Sequence, residues 1–116
     1  MKTVVIDGVT VQLASPDLID QNWVGNMDVL NQLMACWVLV HPSDLPLNPR
    51  LIGRPGVGKT TLACAAARVL DKPTYIFQAT MDTRPEDLLI TPVISESGKI
   101  KYVASAIVTA MLEGGI

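Results

Sequence analysis

The sequence has a single histidine, two cysteines and no excess of positive charge, and each shortage closes off a class of function. Lysine and arginine number 9 against 11 acidic residues, a net charge of −2, so no broad basic surface for nucleic acid is expected and any bound anion must be held by a local site. Cys36 and Cys64 lie in apolar helical patterns with no C-x-x-C spacing, and they read as buried free thiols in a reducing compartment. A Cys36–Cys64 bridge has no support in the sequence. The lone His41 reads as a loop residue rather than a catalytic one.

Long apolar runs are missing too. The longest, Leu33 to Val40, falls far short of the roughly 20 residues that cross a bilayer. Lys2 is followed by an interrupting Asp7 and no small-residue cleavage site, so no signal peptide is expected and the cytoplasm is the default location. What is present is a core-rich composition, 49% hydrophobic and 17% charged, with room in 116 residues for one domain at most. No internal repeat is visible.

The chemistry concentrates in Gly53-Arg54-Pro55-Gly56-Val57-Gly58-Lys59-Thr60-Thr61, which fits the phosphate-loop pattern G-x-x-x-x-G-K-[ST]. In that pattern Gly56 and Gly58 let the backbone turn sharply so that its N–H groups approach nucleotide phosphates. Lys59 supplies a point charge for the β- and γ-phosphates, and the Thr60 hydroxyl is placed for Mg²⁺. A helix beginning here adds the partial positive charge of its N-terminus. Pro49-Arg50-Leu51-Ile52 reads as a short strand entering the loop. Leu62, Ala65, Ala66, Val69 and Leu70 fall on one face of a helix leaving it.

Around this centre, Thr3–Ile6, Asp7-Gly8 and Val9–Leu13 predict a hairpin, because Asp-Gly favours the turn whose twist matches paired strands. Asn26 is an N-cap for a helix whose stripe is Met27, Leu30, Leu33, Met34 and Trp37, read as core, with His41 and Pro42 ending it. Thr74 to Gln78 predicts a second strand after the loop's helix, a βαβ arrangement. Thr83-Arg84-Pro85-Glu86 resembles a capping box opening a short helix through Leu89. Glu86 and Asp87 then read as helix-start residues rather than catalytic carboxylates. Pro92–Ser95 and Lys99–Val103 predict a second hairpin about Glu96-Ser97-Gly98. Ser105 caps a last helix closed by Gly114-Gly115.

Three stretches together resemble the MoxR-like and dynein-related branch of the AAA+ ATPases: Val24-Gly25 before the first long helix, the Gly53–Thr61 loop, and Thr83–Leu89 with the hairpin, helix and Glu113-Gly114-Gly115 turn that follow. The resemblance spans residues 20–116, with residues 1–19 a preceding hairpin and linker. It implies an α/β fold: part of a P-loop NTPase αβα domain, with an N-terminal β-hairpin and a β-hairpin inserted at the second helix. It also implies ATP and Mg²⁺ as ligands, with Val24 and Gly25 near the adenine, and Lys59 as the catalytic residue. Assembly as a hexameric ring that remodels a client protein is implied as well, and the hairpin Val93–Val103 is a candidate for partner contact. Arg54 stands where such proteins more often carry proline, at a free position of the pattern.

In that family the strand after the Gly-Gly turn carries an acidic pair that helps hold Mg²⁺ and activates water. No apolar strand ending in such a pair occurs in this sequence, so the expectation is the N-terminal part of a longer ATPase, inactive in hydrolysis by itself. In a 5-1-4-3-2 sheet the predicted strands at 49–52 and 74–78 would be separated by two later strands and left unpaired. Two other readings are a non-catalytic nucleotide-binding or assembly module and a small P-loop kinase. The kinase is disfavoured by the want of an arginine-rich lid.

Overall fold

The structure is a computed structural model and describes residues 2–20 and 22–116. Its elements run β1 (Thr3–Ile6), β2 (Val9–Gln12), α1 (Met27–Trp37), α2 (Lys59–Val69), a 3₁₀ turn (Pro85–Leu88), β3 (Ile90–Ile94), β4 (Ile100–Ala104) and α3 (Ala106–Glu113). Two units emerge: Ile19–Lys72 forms one, and the residues up to Leu18 with Pro73–Ile116 form the other.

The second of these units holds the four described strands in one sheet of order β1-β2-β4-β3. Asp7 and Gly8 both take positive φ (48° and 80°), as the tight turn between β1 and β2 requires, and Val4 pairs with Val11 and Ile6 with Val9. The β3–β4 hairpin pairs Ile90 with Ala104 and Ile94 with Ile100. The two hairpins join where β2 lies parallel to β4, Val11 beside Tyr102 and Gln12 beside Val103, a pairing the sequence patterns did not anticipate. Val11, Leu13 and Ala104 are buried at this seam, packed with Val4, Ile6, Ile90 and Val108.

Polar contacts pin α3 beneath the sheet. Thr109 is 0% exposed, and its Oγ1 accepts from the Ala14 N–H (3.0 Å) while donating to the Ser105 carbonyl (2.8 Å). Ser105 caps the helix as expected, its Oγ accepting from Val108 N (3.1 Å) and donating to Leu88 O (2.9 Å). The helix closes at Gly114, left-handed at φ 70°. The reciprocal capping near residue 84 sits one position later than the sequence pattern indicates. Asp87, not Glu86, accepts from the backbone N–H of Arg84, not Thr83 (3.0 Å).

Neither of the strands predicted beside the phosphate loop is formed. Residues 74–78 form no regular element, and Asp17 and Ile116 bond to the segment's backbone where a partner strand would. Asp17 donates its N–H to Thr74 O and accepts from Ile76 N through its carboxylate (2.8 and 2.7 Å). Ile116 accepts from Tyr75 N and donates to Pro73 O (2.7 and 2.9 Å). Residues 49–52 lie in the other unit, whose described regular elements are α1 and α2 alone, so no strand is there to pair with them, and Ile52 is 82% exposed.

In that unit α1 and α2 pack through Leu30, Leu33, Leu62, Ala65 and Ala66, with Trp23, Met34, Trp37 and Leu51 around them. Alanines on α2 let the two helices approach closely, since they fill little space and lose no rotamer freedom. Asn26 caps α1 as predicted, its Oδ1 accepting from Asp28 N (2.8 Å). Two expectations fail here. Val69 and Met27 are exposed at the helix ends, and α1 stops at Trp37 rather than near His41. Val38 turns extended, and the Leu47 N–H donates to the Cys36 carbonyl (2.9 Å), capturing a C-terminal acceptor that another helical turn would have used. Cys36 is half-buried, not buried as expected, Cys64 is buried, and no disulfide joins them.

Candidate functional site

The loop between residues 49–52 and α2 owes its shape to two glycines. Gly56 has φ 81° and Gly58 φ 95°, a region in which a Cβ crowds the neighbouring carbonyl, so side-chain-bearing residues pay about 1–2 kcal/mol to enter it. Pro55 and Gly56 form the turn, and Gly58 is the N-cap of α2, its carbonyl accepting from Leu62 N (2.9 Å). A glycine in that place has no side chain to cap the helix's first-turn N–H groups, which suits them to an external anion.

Lys59 is the first residue of α2, and its side chain reaches back over the loop. Nζ donates to the carbonyl oxygens of Gly53 (3.0 Å) and Arg54 (2.9 Å). Two bonds of this kind hold the ammonium at the mouth of the loop while leaving its third donor uncommitted to either carbonyl. Thr60 is exposed and Thr61 half-buried in the same helical turn, and Val57 stands exposed at the loop's tip. Backbone N–H groups, a helix N-terminus and a fixed cation therefore converge on one short stretch, an arrangement fitted to a polyphosphate.

Val24 and Gly25, expected near an adenine, precede α1 in the same unit, and Val24 is 91% exposed. The residue beside them, given no role by its sequence context, touches the loop: a Cβ placed on Gly58 would lie 3.2 Å from Cζ3 of Trp23. No spacing pattern in the sequence marks Trp23 for this place.

His41 lies outside this arrangement. Its backbone N–H donates to Asp44 Oδ2 (2.8 Å), and its Nδ1 lies 2.6 Å from Ser43 Oγ in an exposed turn. Glu86 and Asp87 belong to the other unit. Among the described residues no three His, Cys, Asp or Glu side chains gather as a metal site, and the loop pattern names the Thr60 hydroxyl as a ligand for Mg²⁺. That residue type fits a cation already held by phosphate oxygens, because Mg²⁺ takes few protein ligands and keeps water and substrate oxygens as the rest. Also among the described residues, no helix is long and apolar enough to cross a membrane.

Comparison with known proteins gives one result. A family model described as the AAA domain of the dynein-related subfamily matches residues 50–116, from Arg50 through the loop, both strands of the second hairpin and α3. The match leaves Trp23, Val24 and Gly25 outside it. No curated protein and no solved structure matches the chain.

Proposed function

Because the chain belongs to the dynein-related AAA domain family, we propose that residues 53–61 bind ATP with Mg²⁺ and that the chain supplies the nucleotide-binding portion of a MoxR-like AAA+ ATPase. The observation that carries this reading is the loop itself. Gly56 and Gly58 are left-handed, Gly58 opens α2, and Lys59 Nζ is held by the Gly53 and Arg54 carbonyls. In the reading, the backbone N–H groups of Pro55-to-Thr61, proline excepted, cradle the α- and β-phosphates. Lys59 neutralises charge on the β- and γ-oxygens, and Thr60 places its hydroxyl on the metal. Mg²⁺, when bound, adds further positive charge against the transferring phosphoryl group. Val24 and Gly25 are assigned to the adenine side.

Hydrolysis needs an acid that orients water, and the sequence has no apolar strand ending in an acidic pair. Binding by residues 1–116 is therefore expected to outrun turnover. Coupling of ATP use to remodelling a client protein, a ring of subunits that supply an arginine to one another's sites, and a cytoplasmic setting complete the proposal. The β3–β4 hairpin and Glu113-Gly114-Gly115 support its MoxR-like branch.

Titration calorimetry with MgATP on the wild-type chain and on Lys59→Ala tests the reading, with phosphate release followed in parallel. Loss of charge-assisted bonds worth ~1.5–3 kcal/mol should weaken binding by ~10- to 150-fold. Equal affinities in the two proteins would dismiss the loop as the site, and rapid turnover by the wild-type chain would dismiss the assignment of the hydrolytic acid elsewhere.

A further inference from the structure

Trp23 sits where the starts of both long helices meet the phosphate loop. Its ring edge backs Gly58, the left-handed N-cap of α2. Its Nε1–H donates to the carbonyl of Asn26, the N-cap of α1 (3.3 Å). Its half-buried ring also packs on the core formed by Leu30, Leu33, Leu62, Ala65 and Ala66. Close approach is general at this spot: a Cβ on Gly25 would fall 2.9 Å from Cζ2 of the same ring, so the chain must be glycine there to fold around the indole.

The segment carrying Trp23 is fastened at the far end of α2 as well. The Arg68 guanidinium donates to Asn22 Oδ1 (3.2 Å) and to the Ile19 carbonyl, and lies 3.4 Å from the Asp20 carboxylate. Ile19, Asp20 and Asn22 are thus tied to the last turn of α2 at Arg68, and Trp23 directly follows Asn22 with its indole beside Gly58. An aromatic ring fixed at three places is a rigid body, and a glycine in the left-handed region is the loop residue with the most freedom to lose.

We infer that Trp23 is a positioning residue for the phosphate loop: the indole, fixed by Asn26, by the core and by the hold of Arg68 on its neighbour Asn22, restrains Gly58 so that the N–H groups at the start of α2 are arranged before a nucleotide arrives. This rests on the proposal that the loop binds MgATP. Restraint before binding lowers the ordering cost of the complex, so its removal weakens affinity without removing any group that touches the ligand. It also makes the indole a reporter, since the ring stands beside the loop's last glycine, 3.2 Å from where a Cβ there would lie.

The test uses the full chain with Trp37→Phe, which leaves Trp23 as its one tryptophan. MgATP is added while Trp23 emission is recorded, and affinity is measured separately by calorimetry. Emission should change and saturate with the calorimetric dissociation constant. Trp23→Ala should weaken MgATP binding about tenfold, and Trp23→Phe, which keeps a ring against Gly58, should recover most of that loss. Invariant emission together with wild-type affinity in Trp23→Ala would overturn the inference while leaving the proposed function intact. If Trp23→Ala does not fold, Trp23→Leu and the emission titration decide by the same criteria. Failure of the wild-type chain to bind MgATP in calorimetry would overturn the proposed function, and the inference with it.

Discussion

The two units are built on opposite economies of interaction. In Ile19–Lys72 two helices meet through leucines and alanines, and the polar backbone at the start of α2 is left without a side-chain cap. In the unit of the sheet and α3, strand pairing is joined by side chains that each satisfy two backbone groups, Thr109 and Ser105 above all. The helix start without a side-chain cap is the kind of place a phosphate binds, because backbone N–H groups at a helix N-terminus carry partial positive charge. The sheet unit instead spends its polar groups on itself. Stability in the helical unit should accordingly be dominated by apolar burial, and in the sheet unit by hydrogen bonds.

Leu33→Ala puts the largest strain on that contrast. Leu33 is 4% exposed between α1 and α2, and its truncation should cost ~2–5 kcal/mol through lost transfer energy and a residual cavity, read as a fall in denaturant midpoint. Thr109→Val keeps the shape but leaves the Ala14 N–H without its acceptor. A cost of ~1–3 kcal/mol is expected, together with faster exchange of the Ala14 amide. Ser105→Ala should cost ~1 kcal/mol as the cap of α3 is lost, visible as reduced protection at Val108. Were Thr109→Val or Ser105→Ala to cost more than Leu33→Ala, the division into an apolar unit and a polar one would be wrong.

The smallest effect belongs to the exposed pair Lys2 and Glu113. The hydrogen bond to Glu113, and then its charge, hold the Lys2 ammonium above its ordinary value of 10.5, with a lesser contribution from Tyr75 against a small desolvation effect. A raised pKa in the folded state means the stabilisation is fully present below the unfolded value and fades as pH climbs through the folded one. Stability at neutral pH therefore includes it, and Glu113→Gln should flatten the alkaline limb of a stability–pH curve while changing the neutral value little. An unchanged limb would show that the pair contributes nothing.

Local chemistry was legible wherever a few neighbouring residues decide the outcome. The Asp7-Gly8 turn, the Asn26 and Ser105 caps, the Gly114 terminus and the two hairpins all follow from residues within four positions of one another. The phosphate loop is of this kind: Gly56, Gly58 and Lys59 carry both its pattern and its shape. Illegible were the features that depend on distant partners. Residues 49–52 and 74–78 have the composition of strands but not the neighbours. The strand pairing that does form, β2 beside β4, joins segments roughly ninety residues apart with no local signal for it. The early end of α1 is likewise settled by Leu47 reaching back to Cys36.

Trp23 marks the boundary between the two kinds of knowledge. Sequence by itself determined that a glycine-rich loop precedes a helix, that Lys59 begins that helix, and that the family is one of P-loop NTPases, because those properties reside in contiguous residues and their backbone preferences. Only the tertiary structure decided what stands behind the loop. Trp23 comes beside Gly58 across thirty-five positions of chain, next to an Asn22 whose bond to Arg68 no spacing rule encodes, since packing acts between surfaces and is indifferent to distance along the sequence.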